Sequence, residues 1–322
     1  CKPSALSESL DETRLDLNAE FEQFKLKYDR KYPSPSEERQ RFQNFVRSHR
    51  VIEKLRASEM GTAVYGINNM SDLSEAEFRT YFANLDSKKL QSEFARMEQL
   101  PIQGVEVPDE IDWRKKGKVT QVKNQRSCGS EWAFATVAQL ESRNLIVNPN
   151  SPIKELSEQQ LIDCDEKSSG CNGGSPHDAL DYVMRRGGLQ SGTTYPYAGR
   201  KNTCRAVPAK FGVQVTGIQR LQNEMAMKNY TADRGPTINA INAKKLQYYK
   251  GGVMDGGGCQ GSVNHFVTVV GYNSKQSFWI CKNSWGTGWG EEGYFRIKMN
   301  RNACGLANFV IVGDVKINYP FD

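Results

Sequence analysis

A chain of 322 residues with 38% hydrophobic and 25% charged residues has the size and composition of one large globular domain or two smaller ones. It holds no apolar run of the ~18 residues that a membrane-spanning helix needs, so no membrane span is expected. The net charge of +6 is uneven: residues 1–107 carry −2 and residues 108–322 carry +8. An acidic segment on a basic body suits an intramolecular partner. With three histidines and no Cys-x-x-Cys pair, neither a metal site nor a cofactor is expected. A nucleic-acid partner is not expected either.

The first third reads as helix over residues 17–60. Leu17, Phe21, Phe24 and Tyr28 recur at three- and four-residue spacing. Lys31-Tyr32-Pro33-Ser34-Pro35-Ser36 interrupts the pattern; Pro35 holds Ser34 extended and Ser36 is placed to cap the next helix. That longer helix is predicted from about Glu37 to Ser58, with Phe42, Phe45, Val46, His49, Ile52 and Leu55 on one side. Ser74-Glu75-Ala76-Glu77 is a capping box opening a short helix. Residues 83–107 show no strong periodicity.

Beyond residue 107 the character changes midway. Glu131 to Arg143 reads as a buried helix, and Leu156-Ser157-Glu158-Gln159-Gln160 opens another with a capping box. After Phe211 come β-branched and aromatic runs: Val213 and Val215, Phe266 to Val270, Phe278 to Ile280, Tyr294 to Ile297, and Phe309 to Val312. A helical half followed by a strand-rich half predicts an α+β fold with a cleft between the halves. Eight cysteines favour disulfides, though spacing alone leaves their pairing open. Asn69-Met70-Ser71 and Asn229-Tyr230-Thr231 are glycosylation sequons, mild support for a secreted origin.

Four strings of residues carry a resemblance. Gln125-Arg126-Ser127-Cys128-Gly129-Ser130-Glu131-Trp132 is similar to the nucleophile segment of papain-like (family C1A) cysteine peptidases, with Glu131 where the cysteine belongs. Val263-Asn264-His265-Phe266 resembles the family's histidine segment, and Lys282-Asn283-Ser284-Trp285-Gly286 its asparagine segment. His265 and Asn283 follow Glu131 by 134 and 152 positions, near the expected spacing. In the first third, Glu37, Arg41, Phe45 and Ile52 match the interspersed motif of cathepsin L- and F-like propeptides, with Ser48 and Arg56 as departures. Gly66-Ile67-Asn68-Asn69-Met70-Ser71-Asp72 resembles their second motif, with Met70 in place of Phe.

The resemblance implies a papain-like two-subdomain fold, a helical half plus a β-barrel-like half, behind a mainly helical inhibitory propeptide. The expected domains are a propeptide over 1–106 and a peptidase domain over 107–322. Disulfides Cys128–Cys171, Cys164–Cys204 and Cys259–Cys304 are implied, leaving Cys281 as inert core and Cys1 as a disordered terminus. By carry-over, Gln125 supplies an oxyanion donor, His265 the acid/base and Asn283 its orienting amide, while Trp285 shields the pair. Gly173 and Gly174 offer backbone to an extended substrate; Ser175, Pro176, Val263, Asn264 and Phe309 line the main specificity pocket.

Glu131 changes the expected chemistry. A carboxylate at a helix N-terminus beside His265 would reproduce an anion–imidazolium pair and raise the pKa of His265, yet it is a poor acyl acceptor. The reading is a catalytically inactive cathepsin F/L-like homologue retained as a zymogen, binding peptides, cystatin-like inhibitors or other proteins. One alternative is an active lysosomal or secreted endopeptidase whose nucleophile was replaced to trap the proenzyme. The other is a basic secreted protein that binds glycosaminoglycans through Arg114-Lys115-Lys116-Gly117-Lys118, Arg185-Arg186 and Lys244-Lys245. In each, the expected partner of the cleft is the chain's own propeptide, the location secreted or lysosomal, and the state monomeric.

Overall fold

The computed structural model describes residues 5–101, 106–151 and 155–316, with side chains from residue 16 onward. Helices α1 (Ala5–Lys27) and α2 (Pro35–Ser58) form the predicted hairpin. Phe21 and Phe24 pack on Phe42 and Phe45 at ring separations of 5.1–5.3 Å. Helix α1 begins well before Leu17, because the stretch from Ala5 holds no Pro or Gly to stop it. The cap of α2 is Ser34, not Ser36: its hydroxyl accepts the Glu37 N–H at 3.2 Å, with Pro35 in the first turn where its missing N–H costs nothing.

The chain then crosses to the body. Strand β1 (Val64–Tyr65) pairs antiparallel with β5 (Tyr249–Gly251). Helix α3 (Glu75–Phe82) opens with the predicted Ser74/Glu77 capping box. Arg41 on α2 reaches Glu77 on α3 at 2.8 Å and Glu37 on its own helix at 2.7 Å, fixing the two helices together. Ser48 donates to the Ser71 carbonyl at 2.8 Å and meets Tyr248 of the body at 3.0 Å. A further helix, α4 (Ser87–Arg96), occupies part of the stretch expected to be irregular. Asp86 caps it by accepting the Lys88 and Lys89 N–H groups, and Leu90 and Met97 are buried beneath it.

The body starts with β2 (Glu110–Asp112), followed by the almost wholly buried α5 (Glu131–Val147), then α6 (Glu158–Cys164) and α7 (Pro176–Arg186). Ser157 caps α6, but Gln160 does not return the capping bond. It donates to Tyr182 and accepts from Gln190 instead, so the box is half formed. The strand-rich half comprises β3 (Val215–Leu221), α8 (Glu224–Asp233), β4 (Thr237–Ile241), β5, β6 (Val253–Met254), β7 (His265–Asn273), β8 (Phe278–Lys282), β9 (Tyr294–Lys298) and β10 (Val310–Val315). Its sheet runs β3-β10-β4-β7-β8-β9-β6, with β2 added on β7. Among the described residues the sheet is open rather than barrel-like, since β3 and β6 end the order without pairing.

Two hydrophobic clusters underlie the two halves. One gathers Trp279, Trp285, Trp289 and Phe295; the other gathers Trp132, Leu140, Leu161 and Val183. The N-terminal region plugs into both: Phe78 and Phe82 join the first, Leu90 and Met97 the second. Residues 83–86 therefore bridge the line where the halves meet.

All three implied disulfides form. Cys281 is buried, and burial pushes its thiol pKa well up, in keeping with an inert core residue. Cys1 and residues 102–105 beside the expected domain boundary lie outside the described residues. The second sequon lies inside α8, with Asn229 at 3% exposure and Thr231 at 0%.

Candidate active site

Glu131 is the first residue of α5, directly after the Cys128–Cys171 disulfide that pins the preceding turn. It is fully buried. One carboxylate oxygen accepts the backbone N–H of Asn84 at 3.1 Å, and the other faces Gln125 Nε2 at 3.5 Å. Gln125 is held by Ser284, whose hydroxyl donates to its Oε1 at 2.6 Å. Its Nε2 donates to the Tyr81 carbonyl at 3.0 Å, so a peptide carbonyl of the N-terminal region sits on the amide expected to serve as oxyanion donor.

His265 opens β7, and its Nε2 lies 2.9 Å from Asn283 Oδ1, which also accepts the Ser284 N–H. An accepting Oδ1 assigns the proton of a neutral ring to Nε2. Trp285 covers the pair, its ring 4.9 Å from His265 and edge-on to Phe78 and Phe82. The shielding wall is thus shared between the body and the N-terminal region.

The expected Glu131–His265 ion pair is absent. No hydrogen bond or salt bridge joins the two, and burial drives both toward their neutral forms. Desolvation lifts Glu131 to about 7, against the smaller pull of its own N–H, Asn84 and Gln125. Desolvation lowers His265 to about 4, with Asn283 and the Phe82 backbone opposing weakly. The helix N-terminus favours an anion at Glu131, but removal from water outweighs it.

The residues expected to bind substrate surround the same segment. Gly173 has φ +105°, and a Cβ there would stand 2.7 Å from the Asn84 carbonyl, so only glycine admits this close approach. Gly174 lies against the Trp132 ring. Leu85 N–H donates to the Asn264 carbonyl at 3.2 Å. Ser175, the cap of α7, donates to Glu93; Pro176 follows it in the first turn. Val263 is buried beside Leu90 in the helical cluster, and Phe94 packs edge-on against Phe309 at 5.2 Å. Gly173, Asn264, Ser175 and Phe309 thus each meet a residue between 84 and 94. Sequence reasoning missed Tyr81, Asn84, Leu85, Glu93 and Phe94 as occupants. The signal was present in Leu90, Phe94 and Met97, a helical spacing preceded by a capping Asp86.

Sequence comparison decides the lineage. The profile described as "Papain family cysteine protease" matches residues 107–313, and "Cathepsin propeptide inhibitor domain (I29)" matches residues 21–78. The chain belongs to the papain family of cysteine proteases. It is 39% identical over 308 residues to the "Viral cathepsin" of Adoxophyes honmai nucleopolyhedrovirus, covering 91% of this chain and 90% of that protein. It is 38% identical over 302 residues to "Cathepsin F" of Drosophila melanogaster, covering 89% of this chain but spanning only 48% of that protein. The fold is similar to the solved digestive procathepsin L2 proteinase of Tenebrio molitor larval midgut, with TM-score 0.84, 32% identity, and coverage of 92% of this chain and 99% of that one. It is also similar to a recombinant stem bromelain precursor, with TM-score 0.83, 34% identity, and coverage of 93% and 99%. In this cathepsin-like proenzyme the N-terminal region lies across the cleft, through Tyr81, Asn84 and Leu85.

Several basic groups singled out for polyanions are already engaged. Arg114 pairs with Asp112 and stacks on Tyr294, Lys115 pairs with Glu110, and Arg185 with Asp181. Lys245 is 2% exposed and clasped by Glu59 and Asp255, so the Lys244-Lys245 pair does not form a surface patch. Among the described residues no helix is long and apolar enough to cross a membrane.

Proposed function

We propose that this papain-family chain is a catalytically inactive, cathepsin-like proenzyme whose residues 1–106 act as an inhibitory propeptide over the body 107–322, and whose cleft binds peptide or protein partners rather than cleaving them. The observation that carries the reading is Glu131 itself. A buried carboxylate, hydrogen-bonded to the propeptide backbone, occupies the position that the motif assigns to a thiolate. A carboxylate that attacked a peptide carbonyl would form a labile mixed anhydride, and its oxygens fill the space a scissile carbonyl would need. Neutral His265, oriented by Asn283, then has no thiol to deprotonate. Gln125, His265, Asn283 and Trp285 remain as a peptide-binding floor. The three disulfides suit folding in an oxidising compartment, which supports a passage through the secretory pathway.

The test uses the purified full chain, incubated with a protease that trims the N-terminal region and then with fluorogenic peptides. The expected result is no hydrolysis from this chain, and both turnover and labelling by a thiol-directed affinity reagent from the Glu131→Cys variant. Hydrolysis by the unaltered chain that disappears in Glu131→Ala would overturn the reading.

A further inference from the structure

A cleft of about 440 Å³ lies beside the catalytic position, walled on one side by α2 and α3 and on the other by residues 242–248 and 262–264 of the body. Its volume falls within the usual range of small-molecule sites. Val51, Leu73, Phe78, Leu85, Tyr248 and Val263 give it an apolar lining.

The side-chain amides around that lining are already used. Asn44 Nδ2 donates to the Asp72 carbonyl at 3.0 Å, Gln247 Nε2 to the Met70 carbonyl at 3.2 Å, and Asn264 Oδ1 accepts the Ala243 N–H at 2.8 Å. Asn242 Oδ1 accepts the Lys244 N–H at 3.0 Å. The charged groups are not used. Arg47 on α2, Arg79 on α3 and Lys244 of the body all line the cleft and are exposed, and among the described residues none makes an ion pair or side-chain hydrogen bond. Against these three cations stands one acid, Glu75. Lys244 also departs from its neighbour here: Lys245 turns inward to Glu59 and Asp255, leaving Lys244 alone at the rim.

An apolar cleft with unspent cations at its edge selects a molecule with an apolar body and an anionic head. We propose that this cleft is a binding site for a small amphiphilic carboxylate, its apolar part against Val51, Phe78 and Tyr248 and its carboxylate among Arg47, Arg79 and Lys244. Because α2 and α3 supply one wall, the site exists only while the propeptide is docked. A bound ligand therefore joins the two regions and holds the proenzyme closed by mass action. A glycosaminoglycan is a poorer match, since it has no apolar body for this lining. The site does not depend on Glu131 or on whether the chain hydrolyses peptides.

Isothermal titration of the full chain with 6-phenylhexanoate tests the proposal. The uncharged 6-phenylhexan-1-ol and inorganic sulfate serve as probes for the apolar part and the anion alone. Binding of one phenylhexanoate per chain is expected, at least about tenfold tighter than either control, and weakened about tenfold in Lys244→Glu and in Arg79→Glu. These two side chains are exposed and unpaired, so the variants should fold with unchanged circular dichroism and unfolding midpoint. Phenylhexanoate should also slow digestion of the propeptide by an added protease in the unaltered chain only. Absence of binding, equal binding of the alcohol, or full affinity in both variants would each overturn the assignment; tighter binding of sulfate would show a bare anion patch and overturn it as well.

Discussion

The carboxylate of Glu131 accepts the backbone N–H of Asn84 at 3.1 Å, so the residue at the centre of the cleft holds the segment that closes it. A hydrogen bond of this kind, here with a half-buried donor, contributes roughly 1 kcal/mol. In Glu131→Ala the Asn84 amide loses its acceptor. Its hydrogen exchange should quicken by about fivefold, while amides in α5 beyond the first turn keep their protection. Unchanged exchange at Asn84 would mean that Gln125 and Leu85 hold the segment without help from Glu131.

The same burial creates a hidden pH dependence. Glu131 is raised from 4.5 to about 7, so its contribution to stability is full at low pH and fades as pH rises through about 7. His265 is lowered from 6.5 to about 4, so its contribution is present above pH 6.5 and is lost as pH falls toward 4. Between pH 4.5 and 6.5 the two slopes have opposite signs and cancel. Glu131→Gln removes one of them. That variant should lose about 3 kcal/mol, relative to the unaltered chain, on going from pH 6.5 to pH 4. Urea denaturation at the two values reads the difference directly, and parallel behaviour of the two proteins would contradict the assignment of both groups as neutral.

Glu59 closes a buried charge cluster between the propeptide and the body. Lys245 Nζ lies 3.0 Å from Glu59 and 3.3 Å from Asp255, and Glu59 also accepts the Asp255 N–H at 2.9 Å. Glu59→Ala leaves a buried lysine with half its compensation and should cost about 3 kcal/mol. Adding Lys245→Met should recover part of that loss, because the orphaned charge goes with it. Strict additivity of the two changes in a denaturation experiment would show that the groups are not coupled.

Of the two sequons, Asn69 is partly exposed in the folded chain, whereas Asn229 lies within a buried helix turn. Expression in a glycosylating host should therefore give the same intact mass for Asn229→Gln as for the parent, after allowing for the substitution itself. A glycan-sized loss in that variant would require the α8 region to be modified before it folds.

Much of the molecule was legible without coordinates. The aromatic spacing of Phe21, Phe24, Phe42 and Phe45 carried the hairpin, and β-branched runs carried the strands, because helix and strand periodicities are local properties. Ser74 and Glu77 announced their capping box, whereas Ser157 and Gln160 did not complete theirs. Gln160 was claimed by Tyr182 and Gln190, residues distant in sequence. The disulfide partners came from resemblance, since spacing alone left the pairing open.

The sequence by itself determined the lineage, the order of helices and strands, and which residues fall in the family's motifs, because motifs and periodicity are written along the chain. Only the tertiary structure decided the charge state of those residues. An exposed Glu131 would be an anion able to charge His265; buried under residues 81–85, it is shifted by desolvation toward its neutral form, as is His265. Burial of that kind comes from segments far apart in sequence, as does the sorting of Lys244 to the rim and Lys245 to the interior.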